Sequence, residues 1–75
     1  MEEKLALNYV TDALQRAREI HPDPFYDPHQ GYAIIKEELD ELWDVIKTRP
    51  LNHFKMKIEV SHVAATTIRF LTDLL

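Results

Sequence analysis

The sequence predicts an all-α fold: one domain, residues 1–75, of three antiparallel helices that assemble into an oligomeric helical bundle. Three observations predict it. Apolar residues recur at spacings of three and four along three long stretches. Prolines and cap residues punctuate the chain between those stretches. With one glycine and few strand-like alternations, little in the chain suits a sheet. A core this small leaves a thin stability margin, which favours self-association.

The first helix spans about Glu2 to Ile20. Leu5, Tyr9, Ala13, Ala17 and Ile20 form its apolar stripe, widened by Val10 and Leu14. Glu2 and Glu3 suit the positive end of the helix dipole, and Arg16 and Arg18 the negative end. Pro22 stops the helix near Ile20 or His21. The connector His21–Pro28 holds three prolines in eight residues and is stiff and non-helical. Its aromatics, Phe25 and Tyr26, plug the end of the bundle; the alternative is that one stacks on a ligand ring.

The second helix organises the rest. Asp27 is its N-cap, Pro28 takes the first helical position, and Gln30 sits where a capping box puts its reciprocal partner. It runs to Lys47 or Thr48, because Pro50 disfavours helix at Arg49. Wound at ~100° per residue, Ile34, Val45, Leu42, Ile35, Ile46, Leu39, Tyr32 and Trp43 share one broad arc. Glu38 falls inside that arc, and Glu41 lies on its edge one turn along. A carboxylate on a buried face is costly unless a positive charge meets it. Two of them turned inward repel unless they share a cation.

Asn52 caps the third helix, with Leu51 and Met56 placed as a hydrophobic staple, and the helix runs from His53 to the last residues. Its apolar arc holds Phe70, Val63, Met56, Leu74, Thr67, Val60, Leu71 and Ala64. Glu59 lies at the edge of this arc, and His62 is one turn further on. The tight turn Thr48–Asn52 sets helices two and three side by side. Glu41 is seven residues before Thr48 and Glu59 seven after Asn52; Glu38 is ten before and His62 ten after. Glu41 is thus level with Glu59, and Glu38 with His62.

Clustered carboxylates are what a hard divalent cation takes, and Mg²⁺ combines a few of them with waters and substrate phosphates. Such an ion also lets an acidic site meet a polyphosphate, which bare carboxylates repel. Histidine at a helix edge is either a hydrogen-bonding residue or a ligand; as a ligand, His62 suits Mn²⁺ or a transition ion better than Mg²⁺. The competing view of charged pairs three apart is a solvated face. Glu37 and Asp40 fit that view, being further from the arc. His21, His29 and His53 read as structural or exposed.

Other classes lack their signals. The formal charge is −4 with no basic run, so no duplex nucleic-acid footprint is present. No apolar run approaches the ~20 residues of a membrane span. Met1–Lys4 does not open a signal peptide, and the chain has no cysteine, which together suit a cytoplasmic protein. No nucleophile constellation exists, since Ser61, the one serine, points away from the carboxylates at helical spacing. No Gly-rich phosphate loop exists either.

From His29 to Trp43 the chain resembles the MazG-like branch of the all-α nucleoside triphosphate pyrophosphohydrolases. The motif of that superfamily is EExxE, a spacer, then ExxD. Glu37, Glu38 and Glu41 match its first half, and Glu59 opens the second. Val63-Ala64-Ala65 and the tail from Arg69 to Leu74 look like short phage and bacterial members. The resemblance covers about Pro28 to Leu74. It departs at the last motif position, where His62 replaces the usual aspartate. It implies metal ligands at Glu38, Glu41 and Glu59, with His62 in the fourth place, and Mg²⁺-dependent (alternatively Mn²⁺-dependent) hydrolysis of a nucleoside triphosphate to a monophosphate and pyrophosphate. By analogy Glu37, beside Glu38, orients or activates the attacking water. It further implies a homodimer or homotetramer, with the base pocket completed by a neighbouring subunit. Phosphate contacts are sought at Arg69, Lys55 and Lys47, each of which could equally be a surface cation. Trp43 reads as a subunit contact in preference to a base platform. Two other readings stand beside the enzyme: a degenerate homologue that binds metal or nucleotide with little turnover, and a helical oligomerisation or adaptor module.

Overall fold

Two of the three helices begin where a side chain can satisfy a free backbone N–H. The computed structural model describes all residues, Met1–Leu75, as helices α1 (Glu3–Ile20), α2 (Pro28–Lys47) and α3 (His53–Leu74), with no strand. Asp27 Oδ1 accepts from the Gln30 N–H at 2.8 Å, and Asn52 Oδ1 accepts from the Lys55 N–H at 3.0 Å. Pro28 occupies the first turn of α2, as expected. The Gln30 side chain departs from the expected reciprocal bond. It reaches past Asp27 and accepts from the Tyr26 N–H, so the cap ties down the connector as well as the helix. No helix is long and apolar enough to cross a membrane.

Helix α3 is the middle element. It packs on both α1 and α2, while no Cα of α1 comes within 8 Å of one in α2. Contacts between α2 and α3 run in opposite residue order. Gly31, at the start of α2, faces Phe70 and Leu74 near the end of α3, and Glu38 faces Glu59 and His62 further in.

This central position changes which side of α3 is enclosed. The apolar arc was expected inside, yet Val60 and Leu71 on that arc are 50% and 60% exposed. The most deeply buried stripe is Ser61, Ala65, Thr66 and Arg69. A helix with neighbours on two sides is most enclosed along the line between them, and small side chains there allow close approach. The polar members are satisfied locally. The Ser61 hydroxyl donates to Lys57 O at 2.6 Å and the Thr66 hydroxyl to Val63 O at 2.8 Å, so neither is stranded.

A charged clamp holds the connector and the end of α1 against the end of α3. Arg18 Nη1 donates to Asp73 Oδ1 at 3.2 Å, and the Phe25 N–H donates to Asp73 Oδ2 at 3.1 Å. Arg69 donates to Asp23 O at 2.8 Å and lies 4.7 Å from the centre of the Phe25 ring. Burial pushes the Asp73 carboxyl pKa up, but the Phe25 N–H, Arg18 and the Thr72 hydroxyl outweigh it and hold the group below 3.8. Of the two connector aromatics, Phe25 is buried as a plug and Tyr26 is 87% exposed.

Only 6 of 75 residues are buried, and Tyr32, Leu39 and Trp43 form an exposed apolar stripe on α2. The one glycine sits at a close approach. A Cβ at Gly31 would lie 2.7 Å from Phe70 Cδ2 and 3.1 Å from Leu74 Cδ1. Alanine gains helix propensity there, about 1 kcal/mol, but overpacking costs about 1–3 kcal/mol. Gly31→Ala should therefore lower stability by about 1 kcal/mol in urea unfolding; a variant more stable than the parent would show that Phe70 swings aside freely.

Candidate metal centre

Four side chains from two helices converge on one point. Glu38 comes from the inward face of α2, with Glu41 one turn along and exposed at the rim. Glu59 and His62 come from α3, three residues apart and both half-buried. One donor atom from each of the four lies within 4.8 Å of all the others. His62 Nδ1 is 3.6 Å from Glu38 Oε2 and 3.4 Å from Glu59 Oε2. Level placement counted from the turn is what brings them together: each helix advances ~1.5 Å per residue, so equal counts on either side of a tight turn meet.

The electrostatics of the cluster are unbalanced. Glu38 Oε2 and Glu59 Oε2 are both buried and lack a hydrogen-bond donor. The Glu38 pKa is raised to about 7. Burial is the largest cause. Next comes Glu41, which acts by its charge and by accepting a hydrogen bond from protonated Glu38; Glu59 adds a smaller push, and His62 works in the opposite direction. Below about pH 7 a proton on Glu38 relieves part of that charge.

Two buried oxygens without donors, facing an imidazole nitrogen, fit a divalent cation. Three carboxylates and one imidazole are donors that Mg²⁺, Mn²⁺ or a later transition ion can use to differing degrees. Residues 38, 41, 59 and 62 would hold the ion.

Beside the cluster lies a cavity of about 340 Å³ whose lining includes Glu37, Glu38, His21, Phe25, Gln30, Thr66 and Arg69. Glu37, expected to lie off the arc, is exposed and reaches this cavity from the α2 side. Arg69 is only 4% exposed, unlike a surface cation. Its guanidinium is engaged by Asp23 O and the Phe25 ring, and its Nε is 3.6 Å from Asp73 Oδ2, yet it also forms part of the cavity wall. Lys55 is exposed near the start of α3 and does not line this cavity. Lys47 pairs with Asp44 at 3.2 Å and stands 5.7 Å from the centre of the Trp43 ring, away from the cluster.

Sequence reasoning missed His21, Gln30 and Thr66 as cavity residues and Asp73 as the anchor of Arg69. One signal was present for the last. Arg69 and Asp73 stand four apart on the α3 face that carries His62, a spacing at which opposite charges pair. His21 is brought in by the path of the connector, and Thr66 by the packing of α3 between its neighbours, neither of which periodicity encodes. Comparison of the chain with protein-family models, curated proteins and solved structures returns no match.

The raised Glu38 pKa sets a pH dependence for the metal-free fold. Between about 4.5 and 7 the native state holds a proton that the unfolded chain has released, so this group makes stability fall as pH rises through that window. Asp73 acts with the opposite sign and only below 3.8. Glu38→Gln should remove the decline and leave the variant more stable than the parent at pH 8. Chemical denaturation at pH 5 and pH 8 in the presence of a chelator checks this; an unchanged pH profile in the variant would contradict it.

Proposed function

We propose that the chain is a divalent-metal-dependent nucleoside triphosphate pyrophosphohydrolase of the MazG-like all-α type. The observation that carries this reading is the convergence of Glu38, Glu41, Glu59 and His62 to within 4.8 Å, next to a cavity of about 340 Å³. The pairing of EExxE on one helix with ExxH on the next supports it.

Glu38, Glu41, Glu59 and His62 hold the ion. When bound, Mg²⁺ or Mn²⁺ screens polyphosphate charge, polarises a phosphoryl oxygen and makes water more acidic. Glu37, on the cavity rim, orients the attacking water and accepts its proton. Arg69 supplies positive potential from the opposite wall while its clamp keeps it in place. Lys55, exposed in the first turn of α3, meets the outer phosphates of a bound substrate. Water adds at the α phosphorus, the bridge to the β phosphate breaks, and the nucleoside monophosphate and pyrophosphate leave.

In this reading the helices run antiparallel and the chain acts as a homodimer or homotetramer in the cytoplasm. Tyr32, Leu39 and Trp43 on α2, with Val60 and Leu71 on α3, are apolar and exposed in the single chain. A second copy covering them gains the burial that one chain lacks.

Pyrophosphate release from a panel of ribo- and deoxyribonucleoside triphosphates, with Mg²⁺ or Mn²⁺ added, tests the activity. At least one triphosphate should be cleaved, and Glu38→Gln and Glu59→Gln should each lower the rate by about 100-fold or more. His62, standing where the family has aspartate, favours a second reading of metal or nucleotide binding without turnover. Metal-dependent stabilisation with no cleavage of any triphosphate would select that reading. No response to any divalent ion would leave a helical oligomerisation module. For the assembly, Leu39→Glu combined with Trp43→Glu should shift the protein to monomer in light scattering, and an unchanged mass would place the interface elsewhere.

A further inference from the structure

Arg69 is a charged side chain that the carboxylate cluster does not explain. It is 4% exposed, and it forms part of the wall of the cavity of about 340 Å³ beside the connector. We propose that this cavity is a nucleobase subsite contained within one chain. Arg69 and Gln30 there select a base that presents a ring carbonyl over one that presents an amino group at the same position. The inference rests on the nucleotide reading above and goes beyond it by placing the base and naming the class of base accepted.

The guanidinium is fixed before any ligand arrives. Nη2 donates to Asp23 O at 2.8 Å, Nε lies 3.6 Å from Asp73 Oδ2, and the guanidinium carbon stands 4.7 Å from the centre of the Phe25 ring. Nη1 makes no hydrogen bond, and of the guanidinium nitrogens only Nε is sealed without one. Nη1 is therefore the donor left for the cavity. Gln30, which also lines it, supplies a second. Its Oε1 already accepts from the Tyr26 N–H, which leaves the amide nitrogen free to donate. Neither nitrogen can act as an acceptor.

Two donors call for a ligand with acceptors. Glu37 and Glu38 line the same cavity, and Asp73 answers part of the Arg69 charge, so a free anion gains little there. A neutral acceptor meets no such repulsion. Ala17, Ile34 and the Phe25 ring give the cavity apolar sides, and its volume falls in the range of small-molecule sites, roughly 300–1,000 Å³. A flat heterocycle with a ring carbonyl meets these terms. Guanine, hypoxanthine, uracil and thymine present an oxygen acceptor where adenine and cytosine present an N–H donor. An amino group there sets hydrogen against hydrogen and leaves a buried arginine nitrogen unpaired, which is costly. Glu38 belongs to both the cavity and the carboxylate cluster, so a base held at Arg69 directs the rest of the nucleotide toward the carboxylates.

The test is an NMR titration of the full chain with inosine, adenosine, uridine and cytidine, in a chelator so that no metal takes part. Inosine differs from adenosine, and uridine from cytidine, by carbonyl in place of amino. Inosine should bind about 10-fold or more tightly than adenosine, and uridine than cytidine, with shifts at the Gln30 side-chain amide. Gln30→Glu keeps the acceptor for the Tyr26 N–H and suits the first turn of a helix, while it removes the donor. It should cut both preferences at least about 5-fold. Equal affinity within both pairs, or no shift at Gln30 with any nucleoside, would overturn the proposal. Should the variant fail to fold, the wild-type ratios decide. Hydrolysis separates this proposal from the enzyme reading. Preferential binding of inosine and uridine with no triphosphate cleaved would uphold the subsite and sink the enzyme reading. Cleavage of adenosine and inosine triphosphates with equal kcat/KM would sink the base assignment and leave the enzyme reading standing.

Discussion

Like charge held between two helices is the constraint on which the centre of this molecule depends. Glu38 and Glu59 turn oxygens into the seam between α2 and α3, where no backbone or side-chain donor reaches them. A buried carboxylate without a donor is among the more expensive arrangements a small fold can keep. This chain has few buried residues to offset it. A divalent cation at the point where the four side chains meet would make the arrangement favourable, and metal occupancy would then be coupled to the integrity of the fold.

The remaining framework keeps that point fixed. Helix α3 carries two of the four donors and also forms both helix–helix contacts, so displacement of either neighbour disturbs the centre. At the far end, Asp73 gathers Arg18 and the Phe25 N–H, and Arg69 holds the connector through Asp23. This clamp sets the wall of the cavity next to Glu38. It accounts for an enclosed arginine where a leucine would pack: the guanidinium ties the connector to α3 and adds positive potential to a wall that faces acidic groups.

Helix boundaries, both side-chain caps and the pairing of α2 with α3 were readable from the sequence, because proline, cap chemistry and helical period are local properties. The convergence of residues 38, 41, 59 and 62 was readable for a related reason. A tight turn converts sequence distance into spatial register, and equal counts from Thr48 and Asn52 put Glu38 opposite His62. The enclosed face of α3 was not. Its hydrophobic pattern points to Val60 and Leu71, whereas tertiary packing on two sides encloses Ser61, Thr66 and Arg69. Periodicity reports which face is apolar; it does not report whether a neighbour of the same chain covers it. For Arg69, read as a phosphate contact or equally a surface cation, burial removes the surface alternative. His62 was legible as an oddity in its motif, and the structure places it between two carboxylates.

Whether these side chains share one cation can be read from diffraction of crystals soaked in Mn²⁺, recorded for the anomalous signal of manganese. A single anomalous peak is expected, bonded to Glu38, Glu59 and His62 Nδ1, with Glu41 at the rim. A map with no peak there, and with the carboxylates turned apart toward solvent or lysines, would contradict it.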